Sequence, residues 1–345
     1  MKQHFFHVIL PPEWTLQSGV MLTWPHRRTD WQEMLEEVIP CYVSIAKEII
    51  KRERLLVVSP CINEVKQALG EIDISKVVFR EIPTNDTWAR DHGPIAVFVN
   101  DTPHILDFTF NGWGLKFPAD QDNQITRRLY ESQTFAPETI YQSLLHMVLE
   151  GGSIESDGAG TILTTAKCLL SVNRNEYKSQ AEISDYFQMI FGIQRVLWLN
   201  HGYLAGDDTD SHIDTLARFC DVETIAYVQC TDVNDEHYQE LSLMEEELKR
   251  FKTINGKPYR LIPLPMAEAV YFERERLPAT YANFLIINGA VLLPFYGNSL
   301  DVVARQRLQE AFPDRKIVGI NCLPLIKQRG SLHCVTMQLP QGFIN

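Results

Sequence analysis

Cys334 is the residue whose type and position best fit nucleophilic chemistry. It ends the stretch Gly330-Ser331-Leu332-His333-Cys334, and an apolar segment that predicts a strand follows it. A thiol at the mouth of a strand, just after a glycine turn, can be exposed and reactive. The other six cysteines lie in apolar or helical surroundings, which predicts buried filler side chains. Cys334 is therefore the candidate nucleophile, although this stretch taken alone also fits a structural cysteine.

The base that would activate Cys334 is expected elsewhere in the chain. His333 is adjacent to Cys334, and neighbouring side chains of an extended chain point to opposite faces. His212 and Asp214 lie two residues apart, so in an extended chain their side chains share a face. This spacing predicts an imidazole and a carboxylate that converge on one ligand.

The acidic loop around His212 also admits two other interpretations, a helix N-cap and a metal site. Asp207, Asp208 and Asp210 precede His212 and Asp214. A calcium loop needs a central glycine and a terminal glutamate at set positions, and the loop has neither. No H-E-x-x-H or similar ligand spacing is present. The sequence therefore favours a site without a metal ion.

Two further loops carry carboxylates beside residues suited to a cation pocket. Asp91 closes the segment Trp88-Ala89-Arg90-Asp91, and Glu150 precedes two glycines. A tryptophan beside a carboxylate offers a π face and an anion to a cationic ligand. Taken alone, the first loop also fits a salt-bridged surface loop, and Glu150 also fits an exposed turn.

Taken together, these residues fit one task, the attack of a thiol on a guanidinium group. A guanidinium is planar, cationic and rich in N–H donors, so Asp91 and Asp214 can hold it from two sides. Its central carbon then lies open to the thiolate of Cys334, with the imidazole of His212 nearby.

Strand-like and helix-like segments supply the elements that would position these loops. The predicted strands are 19–24, 54–59, 77–81, 95–99, 104–110, 161–165, 195–199, 224–228, 260–263, 283–287, 290–294 and 316–320. The predicted helices are 30–54, 175–189, 235–251 and 299–312. Asp30 and Glu33 have capping-box spacing, Pro40 predicts a kink, and Val303 is expected on a buried face. The order predicts a mixed α/β fold without strict alternation.

Composition and charge restrict the function classes. The chain has 345 residues with 32 basic and 44 acidic side chains, a formal charge of −12. Such a surface repels nucleic acid and anionic lipid and tolerates a cationic ligand. Seven cysteines without a CxxC spacing indicate a reducing compartment, and no apolar run is long enough to span a membrane. We expect a single cytoplasmic domain over residues 1–345 without a nucleic-acid or membrane partner.

The motifs in this order resemble the agmatine deiminase branch of the guanidine-modifying superfamily, which is also described as similar to the bacterial peptidylarginine deiminases. The resemblance runs from Trp24-Pro25 to Cys334 and depends on Trp88-Ala89-Arg90-Asp91 with Gly93-Pro94, Glu150-Gly151-Gly152, His212-Ile213-Asp214 and Gly330-x-x-His333-Cys334. It implies a pentein fold, an α/β propeller of pseudo-fivefold ββαβ units around a central active site. It also implies hydrolysis of agmatine to N-carbamoylputrescine and ammonia without a metal or organic cofactor.

The resemblance assigns a role to each matching residue. It makes Cys334 the nucleophile and His212 the general acid and base. Asp91 and Asp214 would bind the guanidinium nitrogens. Glu150 would orient His212 and hold the guanidinium.

The resemblance also implies residues that contact the rest of the substrate. Trp88 would pack at the guanidinium, Trp113 would lie in a loop that closes over the substrate chain, and Asp208 would face the distal amine. The sequence departs from the family pattern at a few loop positions, which leaves the substrate tail less defined than the chemistry. These positions are Ser211, Gln328, Arg329 and Ser331.

Alternatives remain open at the level of the sequence. Arginine or peptidyl-arginine deimination would use the same Cys-His-Asp machinery, and Arg329 keeps this alternative open because a carboxylate needs a cationic partner. Transfer of the amidino group to an amine is a second alternative. A catalytically inactive pentein that acts as a binding protein is a third. The sequence does not decide between a monomer and a homo-oligomer.

Overall fold

A computed structural model describes residues 7–176 and 178–344 of the chain. Its strands, in chain order, are β1 (Val8–Ile9), β2 (Gln17–Thr23), β3 (Arg54–Ser59), β4 (Val77–Glu81), β5 (Ile95–Val99), β6 (Thr102–Thr109), β7 (Ile140–Val148), β8 (Ile154–Ser156), β9 (Thr161–Thr165), β10 (Arg195–Leu199), β11 (Ala217–Asp221), β12 (Thr224–Gln229), β13 (Arg260–Pro265), β14 (Tyr271–Phe272), β15 (Glu275–Arg276), β16 (Leu285–Ile287), β17 (Ala290–Phe295), β18 (Lys316–Asn321) and β19 (Thr336–Pro340).

Ten α-helical segments lie between these strands in the described residues. They are α1 (Leu35–Ile50), α2 (Ile62–Leu69), α3 (Ala89–His92), α4 (Gly112–Leu115), α5 (Ile125–Glu131), α6 (Ala166–Leu169), α7 (Gln180–Phe191), α8 (Tyr238–Arg250), α9 (Leu300–Ala311) and α10 (Leu323–Ile326). Short 3₁₀ helices span Gln32–Met34, Ile74–Lys76, Asp122–Gln124, Gly151–Ser153 and Ile213–Thr215.

Five sheets share one pairing pattern. In each, an antiparallel strand pair is extended by a third strand that runs parallel to the second. The five triplets are β5-β6-β7, β8-β9-β10, β11-β12-β13, β16-β17-β18 and β19-β2-β3. A helical connection always separates the two parallel strands, because parallel neighbours cannot be joined by a tight turn. The fold is therefore α/β with a repeated strand-pair, helix, strand unit.

The fifth of these sheets joins the two ends of the chain. Its strand β19 pairs antiparallel with β2, so that Thr336 lies opposite Leu22. Next to β19, Phe343 is fully buried and its ring meets that of Phe98 edge-on at 5.3 Å. The C-terminal segment is therefore part of the core.

The core lies between the sheets and the helices that cover them. One face of α1 is buried through Val38, Cys41, Tyr42, Ile45 and Ile49, which recur at helical spacing. The central strands β3 and β12 are buried along almost their whole length, as is typical of strands covered on both faces.

Most predicted strands are confirmed, several with the same bounds, such as Arg54–Ser59 and Thr161–Thr165. The prediction of a kink at Pro40 is wrong, because α1 is continuous; the proline lies on its exposed face while the opposite face is held by the core. The predicted capping box at Asp30 is not formed, since no side chain caps the start of this helix.

Two of the predicted helices differ from the structure in detail. The helix predicted over 175–189 begins later, at Gln180, after a capping box formed by Ser179 and Glu182; residue 177 of the predicted range lies outside the described residues. In α9, Val303 is exposed and the expected burial is wrong, because Ala304, Leu308 and Ala311 form the buried face.

Four strands of these sheets were not predicted from the sequence: β1, β7, β8 and β11. The strand β7 carries mostly exposed and partly polar residues, and β8 has only three residues.

No helix in the described residues is long and apolar enough to cross a bilayer.

Truncation of Phe343 tests whether the C-terminal segment stabilises the fold. Phe343→Ala should lower the free energy of unfolding by about 3–5 kcal/mol, because it removes a fully buried ring and leaves a cavity. Tyr271→Ala, which removes an aromatic ring that is 63% exposed, is the matched control and should change stability by less than about 0.5 kcal/mol. Urea denaturation measures both, and equal effects would contradict the role of this segment.

Candidate active site

The thiol of Cys334 lies in a turn immediately before β19. Its Sγ is 3.4 Å from Asn283 Oδ1 and 3.8 Å from Asp214 Oδ2. Burial raises the pKa of the Cys334 thiol well above its usual value, and the charges of Asp214 and Asp91 raise it further. The resting thiol is therefore protonated at neutral pH.

Asn283 is a site residue that the sequence did not indicate beyond its place in a predicted strand. Its Oδ1 accepts hydrogen bonds from the backbone N–H groups of His333 (2.9 Å) and Cys334 (3.4 Å). Its Nδ2 donates to the backbone carbonyl of Asp214 at 3.3 Å. Asn283 thus fixes the turn that presents the thiol.

Asp91 lies on the short helix α3 and is buried, which excludes the alternative of a salt-bridged surface loop. Its Oδ2 accepts a hydrogen bond from Trp113 Nε1 (2.9 Å), and its Oδ1 accepts one from the Gly152 N–H (3.0 Å). Burial raises the pKa of this carboxyl, the imidazole of His212 opposes that rise, and Asp214 adds to it.

His212 and Asp214 both lie beside Gly152. His212 immediately precedes the 3₁₀ helix Ile213–Thr215, so the premise of an extended chain is wrong. A methyl group on Gly152 would lie 2.7 Å from Asp91 Oδ1, 2.8 Å from His212 Nδ1 and 3.1 Å from Asp214 Oδ2. Only glycine leaves room for three polar groups to approach each other here.

The imidazole of His212 faces carboxylates on both sides. Its Nδ1 is 3.5 Å from Asp91 Oδ1, and its Nε2 is 4.0 Å from Glu150 Oε2. Burial lowers the pKa of His212, but the charges of Asp91 and Glu150 help to raise it well above its usual range. His212 is therefore protonated at neutral pH and can act as an acid.

Glu150 is fully buried and paired, so the alternative of an exposed turn is wrong. Arg174 Nε donates to both of its carboxylate oxygens, at 2.8 and 3.0 Å. The same guanidinium donates to Asp210 Oδ2 (2.6 Å) and to the carbonyl of Thr209 (2.7 Å). Arg174, which the sequence did not indicate, thus joins the Glu150 loop to the loop that carries His212.

Cys168 departs from the expectation that the other cysteines only fill the core. It is fully buried, but its Sγ, a His212 nitrogen and a Glu150 oxygen all lie within 4.8 Å of one another. These three groups could in principle hold a metal ion. Both oxygens of Glu150 already accept hydrogen bonds from Arg174, so a metal ion at this position would have to displace that guanidinium.

An open cavity of about 520 Å³ leads to Cys334. Its walls include Trp88 and Trp113, whose ring centroids are 6.4 Å apart at 77°. Gly330 permits this arrangement, because a methyl group there would lie 2.0 Å from the Trp88 ring. The cavity is thus an aromatic slot with a thiol and the carboxylate of Asp91 at its inner end.

The outer part of this cavity is acidic. Asp30, Asp86 and Asp208 line it together with Arg329, whose guanidinium is paired with Glu275 at 2.6 Å. Burial and the neighbouring Asp207 raise the pKa of Asp208 to about 6. The cavity therefore offers carboxylates at both ends to a ligand with two cationic groups.

His333 does not contact the thiol through a hydrogen bond, in agreement with its exclusion as the base. Its Nδ1 is 2.7 Å from Asp214 Oδ2, and its Nε2 is 2.7 Å from Glu13 Oε1. The reason differs from the predicted alternation of a strand, because His333 and Cys334 both lie in the turn before β19. The imidazole of His333 therefore contacts Asp214 and not the thiol.

The five repeated units each contribute one segment to this centre. Asp91 lies just before β5, Glu150 before β8, Asp214 before β11, Asn283 before β16 and Cys334 before β19. Each of these strands is the first of an antiparallel pair. Repetition of one unit therefore brings five sequence-distant segments to a common point.

A family model and individual similar proteins both place this chain among the deiminases. Residues 9–340 match the model of the Porphyromonas-type peptidyl-arginine deiminase family. A protein of Legionella pneumophila named "Putative agmatine deiminase" is 32% identical over 99% of this chain and 97% of its own length.

Two solved structures are similar over nearly the whole chain. One carries the description "Putative Arginine Deiminase from Porphyromonas gingivalis"; it is 55% identical with a TM-score of 0.95 and covers 98% of this chain and 100% of its own. An agmatine deiminase of C. jejuni with substrate bound is 38% identical with a TM-score of 0.92 and covers 99% of both chains.

Removal of one carboxylate tests the electrostatics of the thiol. Asp214→Asn should raise the rate of Cys334 alkylation by iodoacetamide at neutral pH by roughly tenfold, because loss of a nearby negative charge favours the thiolate. Asp107→Asn, which neutralises a buried carboxyl bonded to Tyr141, is the control and should leave the rate unchanged. Mass spectrometry of the Cys334 peptide measures the rate, and a slower reaction in Asp214→Asn would contradict the assignment.

Proposed function

The chain belongs to the Porphyromonas-type peptidyl-arginine deiminase family, and we propose that it hydrolyses agmatine to N-carbamoylputrescine and ammonia. Membership makes it a hydrolase that acts on a C–N bond of an amidine group. The finer assignment to agmatine is our proposal, and the C. jejuni agmatine deiminase with substrate bound supports it.

The charge pattern of the cavity carries this proposal. Agmatine has a guanidinium at one end and an ammonium at the other, and no carboxylate. Asp91 and Cys334 are buried in the wall of the cavity, while Asp30 is exposed and Asp208 is half-buried. Arg329 is the one cation among the described lining residues, and Glu275 neutralises it. A doubly cationic substrate therefore matches the cavity better than a zwitterionic one.

In the proposed mechanism, Asp91 and Asp214 hold the guanidinium while Cys334 attacks its carbon. The bound cation offsets the two carboxylates and so favours the thiolate, whose proton passes to solvent before the attack. His212, protonated at rest, donates a proton to the departing nitrogen, which leaves as ammonia, and a covalent thiouronium-type intermediate remains. His212 then removes a proton from the attacking water, and the thiol is released with the ureido product.

The remaining residues have supporting roles in the proposal. Glu150 orients His212 and stabilises its charge. Trp88 packs against the guanidinium, Trp113 closes over the chain of the substrate, and Asp208 faces the distal ammonium. No metal or organic cofactor is needed, because the thiol, imidazole and carboxylates supply each bond change and proton transfer.

The proposed arrangement of the units is that of a pentein. We propose that the five sheets surround the site as a propeller with pseudo-fivefold symmetry, in one domain. The shared pairing pattern and the regular position of one site segment before each first strand support this arrangement.

Free arginine is the second candidate substrate, because one specific contact favours it. Arg329 lines the cavity and could release Glu275 to bind an α-carboxylate, since both side chains are partly exposed. The similar protein described as an arginine deiminase is consistent with this alternative.

Ammonia release from agmatine, arginine and a blocked arginine peptide tests the substrate assignment. We expect the highest kcat/KM with agmatine, because only agmatine presents a second cation without a carboxylate. Mass spectrometry of the products should show the ureido compound and no amidino transfer to added amines. A preference for arginine would overturn the proposal in favour of the second candidate.

Substitution of the thiol tests the nucleophile. Cys334→Ala should reduce kcat by on the order of 10⁴-fold or more, as for removal of other enzymatic nucleophiles. Cys230→Ala, which removes another buried thiol outside the cavity, should retain most activity. Full activity of Cys334→Ala, with folding verified by circular dichroism, would refute the mechanism.

A further inference from the structure

The two carboxylate oxygens of Asp214 have different surroundings. Oδ2 accepts a hydrogen bond from His333 Nδ1 at 2.7 Å. Oδ1 is buried and has no hydrogen-bond partner among the described residues. A buried carboxylate oxygen without a partner is costly unless a ligand supplies a donor. Asp214 therefore presents Oδ1 to a ligand while Oδ2 is anchored by the protein.

The second ring nitrogen of His333, Nε2, also has partners in the protein. Its Nε2 lies 2.7 Å from Glu13 Oε1 and 2.9 Å from Arg218 Nη2. Burial and the charges of Arg218 and Arg90 lower the pKa of His333, so the ring carries one proton. When Nδ1 donates that proton to Asp214, Nε2 accepts from Arg218 Nη2, which also pairs with Glu13. Contacts at both ring nitrogens prevent the ring from flipping, and the ring is 1% exposed.

A buried charge network fixes Glu13 in turn. Arg218 pairs with Glu13 at 2.5 Å and also with Glu155, and it donates to the carbonyls of Ala282 (3.1 Å) and Phe284 (2.7 Å). Arg90 Nη1 lies 3.1 Å from Glu13 Oε1. Arg218 and Arg90 thus offset the charge of Glu13 behind Asp214.

The far end of this line reaches a second cavity. Glu13, Glu155 and Arg90 line an open space of about 630 Å³ that includes neither Cys334 nor Trp88 among its lining residues. The Glu13 side chain is 18% exposed, whereas Asp214 is fully buried. Glu13 can therefore be altered at a partly solvated position, away from the reacting atoms.

We propose that His333 and Glu13 are positioning residues, which hold Asp214 so that its free oxygen meets the substrate guanidinium. The chain Glu13–His333–Asp214 acts on substrate binding and not as a base for Cys334. This proposal rests on the proposed function, because it assigns the guanidinium as the ligand of Asp214 Oδ1.

Two substitutions of His333 separate its two contacts. His333→Asn keeps a donor near the position of Nδ1, towards Asp214, while His333→Gln keeps one near the position of Nε2, towards Glu13. Both remove the ring, so a general packing defect would affect them alike. Both are made in the Cys334→Ala background, where agmatine binds without turnover, and calorimetry measures the dissociation constant.

We expect His333→Gln to weaken agmatine binding by roughly 10- to 100-fold, because Asp214 loses a hydrogen bond that fixes its charge and direction. His333→Asn should bind within about threefold of the Cys334→Ala parent. The comparison is made at neutral pH, because Asp91, whose pKa burial raises to about 6, sets the acidic pH at which binding is lost before Asp214 does. Asp91, His212 and Arg218 also face Asp214 and are unchanged in both variants.

Glu13→Gln completes the test as a double-mutant cycle. It should weaken binding by no more than about threefold when His333 is present, since His333→Asn also loses the Glu13 contact, and have no effect in His333→Asn, because the ring through which it acts is absent. Equal binding by the Gln and Asn variants, or an effect of Glu13→Gln in the His333→Asn background, would overturn the positioning role. Failure of the Cys334→Ala parent to bind agmatine, arginine or the blocked peptide would instead refute the proposed function.

Discussion

The burial of several carboxylates around one thiol is the constraint on which the rest of the site depends. Asp91, Glu150 and Asp214 are each removed from water, where an unpaired charge would be unstable. Each carboxylate is stabilised by its own hydrogen-bond donors. They are Trp113 and the Gly152 N–H for Asp91, Arg174 for Glu150, and His333 for Asp214. The loops of the site are held in place because these partners come from other parts of the chain.

The residues that we propose for the chemistry could be identified from the sequence, whereas the residues that hold them in place could not. Cys334, His212 and Asp91 stand in loops with glycine or proline nearby, and their types suggest a reaction. Arg174, Arg218 and Glu13 carry no such local signal. Glu13 and His333 are separated by 320 positions and meet only because β19 pairs with β2. Long-range pairing of this kind is a property of the fold and leaves no pattern in a short window.

The strands and helices also divide into those that the sequence predicted and those that it did not. Buried strands rich in Val, Ile, Leu or Thr, such as β3 and β9, were predicted with their observed bounds. The strand β7 was missed because its partly polar, exposed residues resemble a loop. In α1, Pro40 breaks the local rule, yet the buried face opposite it keeps the helix continuous. The repeat of five units is visible only in strand pairing, because its members share geometry and not residues.

The pairing of β19 with β2 also has a consequence for the order of events during synthesis. The segment with the nucleophile is made after the other four units, and it pairs with one of the first strands to leave the ribosome. The sheet that contains β2 therefore stays incomplete while the intervening units are translated, and its closure spans most of the chain. Contacts of such large sequence separation form slowly. A partly synthesised chain accordingly holds His212 and the buried carboxylates of the site before it holds Cys334, so the proposed active site is complete only at the last step of assembly.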